Sequence, residues 1–193
     1  MRPGGGLGVI LHAGGARRLV PQALDGAVVQ VAVCHFKLGR QRVEGYRSFG
    51  TKIWNAARFC EMNGIAPVAG FDPASARLPL SRWVLDTTNS ALAEANAALE
   101  GFRFDDYAKA CYRFAWNDFC DWFLEFAKPV LNGPDGADKD EVKATAAHVL
   151  GVILRMLHPV MPFITEELWH RMGYGAEGSL IRSPWPEAMP VAD

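Results

Sequence analysis

Arg47, Thr51, Asn55 and Arg58 recur at offsets of 0, 4, 8 and 11 residues, a spacing that puts all four in one stripe if the stretch is helical. Two guanidinium groups and a carboxamide on a rigid rod can donate to base edges and phosphates. The bordering Trp54 and the nearby Phe59 offer planes for unstacked bases. The same stripe also fits an ordinary solvated helix face, and spacing alone favours that plainer reading.

A second group is acidic. Asp118, Asp121 and Glu125 share a line with Tyr107, Cys111 and Phe114, so an apolar stripe turns acidic halfway along its helix. Three carboxylates in register are expected to pair with arginine or lysine from a neighbouring helix. A general acid/base pair is the sharper alternative, but no nucleophile or metal-ligand set accompanies them.

Other reactive types are scattered. His12, His35, His148, His158 and His170 do not cluster, and each is expected to be structural. His158 precedes a proline at a helix end, a place where an imidazole satisfies terminal carbonyls. Cys34, Cys60, Cys111 and Cys120 form no Cys-x-x-Cys pair, which predicts free thiols in a reducing cytoplasm and no metal site. Gly4–Gly8 has neither a preceding strand nor a following helix to make it a phosphate cradle.

These groups need helices to position them, and the pattern supplies helices. Gln41–Met62 carries an inward stripe of Tyr46, Phe49, Gly50, Ile53, Ala57 and Cys60. Ser81–Glu100 carries Leu85, Thr88, Leu92, Ala95 and Leu99. Asp105–Val130 is apolar over more than half its circumference, through Tyr107, Cys111, Phe114, Ala115, Phe119, Trp122 and Phe126, and is expected to be central. Lys139–Leu157 and a shorter Thr165–Met172 follow, with Pro/Gly clusters between segments. The predicted fold class is therefore all-α: a bundle of four long helices plus a shorter C-terminal helix over 37–186. Residues 1–36 read as a Gly/Ala-rich, poorly ordered leader with one β-prone piece, Ala27–Cys34, and 187–193 as a tail.

In a chain of 193 residues and net charge −1, no run of about 18 apolar residues occurs, so no membrane span or membrane partner is expected. The charge is split. Residues 1–60 carry nine Lys/Arg against two acids, whereas 61–193 carry eleven against nineteen. A polyanion would meet the front of such a chain.

Two stretches are specific enough to carry a resemblance. Tyr46-Arg47-Ser48-Phe49-Gly50-Thr51-Lys52-Ile53-Trp54-Asn55-Ala56-Ala57-Arg58-Phe59 resembles the opening helix of the anticodon-binding domain of the valyl-tRNA synthetases, which are class I aminoacyl-tRNA synthetases. His158-Pro159-Val160-Met161-Pro162-Phe163-Ile164-Thr165-Glu166-Glu167-Leu168-Trp169 resembles that domain's closing signature, and Phe114–Trp122 its central helix. The resemblance implies a valine tRNA as partner. It makes Arg47, Asn55 and Arg58 donors to bases or phosphates, Lys52 a source of charge and Phe59 a stacking surface. It also implies a monomer in the cytoplasm, with ATP and magnesium serving the catalytic domain of the full-length family and no cofactor in this chain. The family's His-x-Gly-His element and Lys-Met-Ser-Lys-Ser loop are not in this sequence. An excised module, inactive alone in aminoacylation, is thus the expectation. The alternatives are a helical protein-interaction module without nucleic acid and a small enzyme using the Asp118/Asp121/Glu125 line.

Overall fold

The computed structural model describes residues 40–190, apart from the side chains of 40–43, 46 and 177. Residues from Gln41 onward form a unit of their own. The leader, its β-prone piece, Cys34, His12, His35 and the Tyr46 side chain lie outside the described residues.

The described chain is all-α: α1 (Arg40–Met62), α2 (Pro79–Glu100), α3 (Phe104–Arg113), a π-wound segment (Phe114–Phe123), α4 (Leu124–Leu131), α5 (Ala137–Leu157) and α6 (Pro162–Arg171). Short 3-10 turns at Pro73–Ser75, Tyr174–Glu177 and Leu180–Arg182 complete it. No described helix is long and apolar enough to cross a membrane.

Helix ends follow local chemistry. Proline opens α2 and α6, where its missing N–H costs nothing. The entry to α2 is held from afar: the Glu141 carboxylate of α5 accepts the backbone N–H groups of Arg77 at 3.0 Å and Leu78 at 2.8 Å. An anion there also suits the positive end of the helix dipole. Past Gly101, Phe102 takes a left-handed backbone (φ 54°) while remaining 80% exposed. A bulky side chain in that region costs on the order of 1 kcal/mol. Asp105 and Asp106 then occupy the first turn of α3.

The core is built around α5, which packs against α2, α3, α4 and α6. Its Val142, Ala146, Val149, Leu150, Ile153 and Leu154 are buried to within 1%. The sequence pattern put the third segment at the centre; the structure gives that place to α5.

The third segment departs from its pattern in a second way. An α-helix turns about 100° per residue, so positions four apart drift by about 40° per step. Yet Tyr107, Cys111, Ala115, Phe119, Phe123, Ala127 and Leu131, each four apart, are all buried. The wider winding of Phe114–Phe123 absorbs the drift and keeps that line facing inward. Trp122 and Phe126, expected inward, are each 54% exposed and lie against one another with ring centroids 5.6 Å apart.

Beyond α6 the chain crosses back over α2. The Trp185 indole donates to the Asn96 amide oxygen at 2.8 Å. Asn89 grips the backbone of Met189 at both its N–H (2.8 Å) and its carbonyl (2.7 Å).

Candidate nucleic-acid interface

The outer face of α1 follows from its inner one. Phe49, Ile53, Ala57 and Cys60 are buried, which turns Arg47, Thr51, Asn55 and Arg58 outward, and all four are exposed. Among the described residues no carboxylate pairs with the Arg47 or Arg58 guanidinium, and the Asn55 carboxamide has no partner. The Thr51 hydroxyl is turned back, donating to the Arg47 carbonyl at 3.1 Å. Three unused polar heads therefore stand on one rigid, well-anchored rod.

The other two sequence candidates sit where α1 meets its neighbours. Lys52 bonds the Asp121 carboxylate of the π-wound segment, and its ammonium lies 3.9 Å from the centre of the Trp116 ring. Its charge is thus largely committed within the protein. Phe59 is half-buried against the core, with the Lys128 ammonium 5.9 Å from its ring centre. Its ring is only partly exposed and is not a free stacking plane. Trp54 is half-buried too, and the Arg171 guanidinium sits 5.3 Å from its ring while also bonding Glu61 at 2.8 Å.

The acidic line is dispersed. Asp121 does meet a lysine from another helix, as expected. Glu125, however, pairs with Lys128 one turn along its own helix. Asp118 stands apart from both; burial raises its pKa, opposed by the Arg113 charge and assisted by nearby Glu94. The three carboxylates lose their common inward line because the π winding carries that line to Phe119 and Phe123 instead. Among the described residues no three His, Cys, Asp or Glu side chains converge to hold a metal ion. Burial pushes the Cys60 and Cys120 thiols up to about 12 and Cys111 to about 11, so all three stay protonated at neutral pH.

The closing signature turns out to be a structural clasp. The Thr165 hydroxyl donates to the Met161 carbonyl at 2.9 Å, which leaves its oxygen to accept from His158 Nδ1 at 2.8 Å. His158 therefore holds α6 to the end of α5 rather than capping carbonyls. One oxygen of Glu166 accepts from the Ser179 hydroxyl (2.6 Å), the Leu180 N–H (3.1 Å) and His170 Nε2 (3.1 Å). The Trp169 ring stacks on Tyr174, centroids 4.9 Å apart.

The Ser179 hydrogen bond, more than the others, lowers the Glu166 pKa. A depressed folded value means that this carboxylate stabilises the fold above its ordinary pKa, near 4.5, and ceases to as pH falls through the lowered value. Glu166→Gln is expected to unfold at lower urea than the parent at pH 7, with the two curves converging in acid. Urea titrations from about pH 7 down to about pH 3 check this.

What the geometry defines is an all-α bundle with one helix whose outer face carries unpaired donors. The family model for the anticodon-binding domain of tRNA ligase matches residues 81–192, and the chain belongs to that family.

Its relatives are more specific. A valine–tRNA ligase of Granulibacter bethesdensis is 60% identical over 151 residues, covering 78% of this chain and 17% of that protein. Those of Caulobacter vibrioides (55% over 154 residues; 78% and 17%) and Rhodopseudomonas palustris (50% over 157 residues; 81% and 16%) are similar to it as well. The chain spans about a sixth of the length of these relatives. A match of 151 residues in a chain of 193 begins no later than about residue 43, so it takes in Arg47–Phe59 and with it the outer face of α1.

Proposed function

We propose that this chain holds the anticodon stem-loop of a valine tRNA on the outer face of α1. The observation that carries the reading is the trio of exposed, unpaired donors, Arg47, Asn55 and Arg58, backed by the buried Phe49, Ile53 and Ala57. Family membership supplies the ligand class, and the relatives' names supply the amino acid. Unpaired loop nucleotides can present base edges to the carboxamide and guanidinium groups, and phosphates to either arginine. Lys52 contributes by fixing α1 against the π-wound segment, and Phe59 by its part-exposed ring next to Arg58. In an intact ligase the same bundle would orient the tRNA so that its acceptor end reaches the catalytic domain, the part served by ATP and magnesium. By itself the module binds more weakly, because avidity from those other surfaces is lacking.

A stem-loop titration at several salt concentrations tests this. A cation that neutralises a phosphate releases counterions, so each phosphate left unneutralised should flatten the plot of log affinity against log salt by about 0.7. The Arg47→Ala/Arg58→Ala double variant is expected to show a visibly shallower slope than the parent. Identical slopes would place the phosphate-binding residues elsewhere.

A further inference from the structure

Among the described residues, one side of α5 faces loops and Trp169 of α6. Asp140, Ala144, His148, Gly151 and Arg155 fall at offsets of 0, 4, 8, 11 and 15, a single line along the rod. The loop between α1 and α2 and the Tyr174 turn roof that line, leaving a cavity of about 180 Å³. A wider, shallower depression shares Pro67, Val68, Phe71 and Ala144 with it and gives access from solvent.

The cavity wall is mixed: apolar side chains from the loops, α6 and the Tyr174 turn stand opposite two polar ones of α5, His148 and Arg155, of which only Arg155 carries a charge at pH 7. Val68, Phe71, Trp169 and Tyr174 line it, and the polar tips of the last two are used elsewhere. The Trp169 indole donates to the Gly178 carbonyl at 3.2 Å and the Tyr174 hydroxyl to that of Ala147. Gly151 matters here: a Cβ would stand 3.0 Å from the Tyr174 ring, so glycine lets that ring close the wall. His148 faces Phe71 at 5.5 Å and has its Nε2 against the Met189 sulfur at 2.9 Å. Burial first, and the Arg155 charge second, hold its imidazole below the usual histidine range, so it is neutral at pH 7.

Arg155 is what needs explaining. It is half-buried, and its Nε donates to the Gly151 carbonyl of its own helix at 3.2 Å. No carboxylate pairs with it among the described residues. A desolvated guanidinium without a counter-charge is costly and is normally paired. Its terminal N–H groups, in a forked geometry, suit a carboxylate bound through both oxygens.

We propose that this cavity binds a small monocarboxylate with a short apolar body, its anionic end on Arg155 and its hydrocarbon against Phe71, Trp169 and Tyr174. One cation calls for one negative charge. Apolar cavities of about 150 Å³ take up benzene, so a body of about six to eight non-hydrogen atoms fits. The site lies along α5 and does not depend on the tRNA reading of α1.

The test is an NMR titration of the whole chain with isovalerate, following the Trp169 indole and Gly151 amide signals. Saturable shifts are expected, with a Kd on the order of 1 mM for so small a ligand. Isovaleramide, the same shape without the charge, is expected to bind about tenfold more weakly or worse, and so is isovalerate to Arg155→Gln. Val68→Trp, a change on an exposed loop that fills the mouth, is expected to abolish the shifts without touching the guanidinium. Equal binding of acid and amide overturns the proposal, as does competition by inorganic phosphate at equal concentration or the absence of any saturable shift. Because no described carboxylate pairs with Arg155, Arg155→Gln should unfold at the same urea concentration as the parent or higher. A clear loss of stability would assign Arg155 a structural role and overturn the proposal as well.

Discussion

Phe119→Ala lowers the free energy of unfolding by about 3–5 kcal/mol, the range for deleting a buried aromatic ring. Phe119 is 0% exposed and stacks on Phe123 with centroids 5.7 Å apart, in the middle of the π-wound segment. Its neighbours belong to several helices that cannot all collapse into the space left behind. Against a typical total of about 5–15 kcal/mol, the variant stands near the edge of folding. The instructive control is Trp122→Ala, which removes a larger ring from the same segment. Trp122 is 54% exposed, and its loss is expected to cost less than about 1 kcal/mol. Urea denaturation of both variants checks this. A continuous α-helix would turn both Phe119 and Trp122 inward and make the two losses comparable.

Arg58→Ala weakens binding of a valine-tRNA anticodon stem-loop by a factor of about 5 to 150, the equivalent of about 1–3 kcal/mol for one bidentate base interaction. The urea midpoint should not move, since Arg58 is exposed and pairs with no described carboxylate. Lys52→Ala makes the contrast. It breaks the Asp121 ion pair and removes the cation from the Trp116 ring, so it is expected to lower stability and affinity together. Filter binding read beside denaturation separates the two behaviours. If Arg58→Ala binds as the parent does, the proposed face is wrong.

How much could be read from residues alone varied by helix. The inner stripe of α1 was plain, because Phe49, Ile53, Ala57 and Cys60 keep a 3.6-residue period, and the outer stripe followed by exclusion. Gly101 marked the end of α2, but α2 and α6 begin on Pro79 and Pro162, ahead of the Ser81 and Thr165 starts that the pattern gave. The third segment misled because a periodicity argument assumes one winding. Nothing in Phe114–Phe123 announces an i→i+5 register, and a small change of phase moved Trp122 and Phe126 out and brought Phe123 and Ala127 in. Asp121 found a lysine on another helix, as the charge pattern suggested, whereas Glu125 took Lys128 of its own helix.

The long-range clasps were illegible for a different reason. Glu141 reaching the entry of α2, Asn89 gripping Met189 and Glu166 holding the Ser179 turn join residues that no local spacing relates. The Arg155 cavity was hidden likewise. Its apolar roof comes from loops, and loops carry no period. One signal was available: an arginine and a histidine on the same face of a mostly apolar helix, with no acid at i±3 or i±4 of Arg155.

If α1 reads bases as well as charge, it must discriminate between loops of equal charge. A competition titration at one fixed salt concentration asks this of two valine-tRNA anticodon stem-loops differing only in the middle base, the native adenine against a substituted one. The native loop should win by about tenfold or more, and this preference should collapse in the Arg47→Ala/Asn55→Ala/Arg58→Ala variant. Equal affinity of the two loops for the parent protein, or a preference that survives the triple substitution, would contradict base reading by this face.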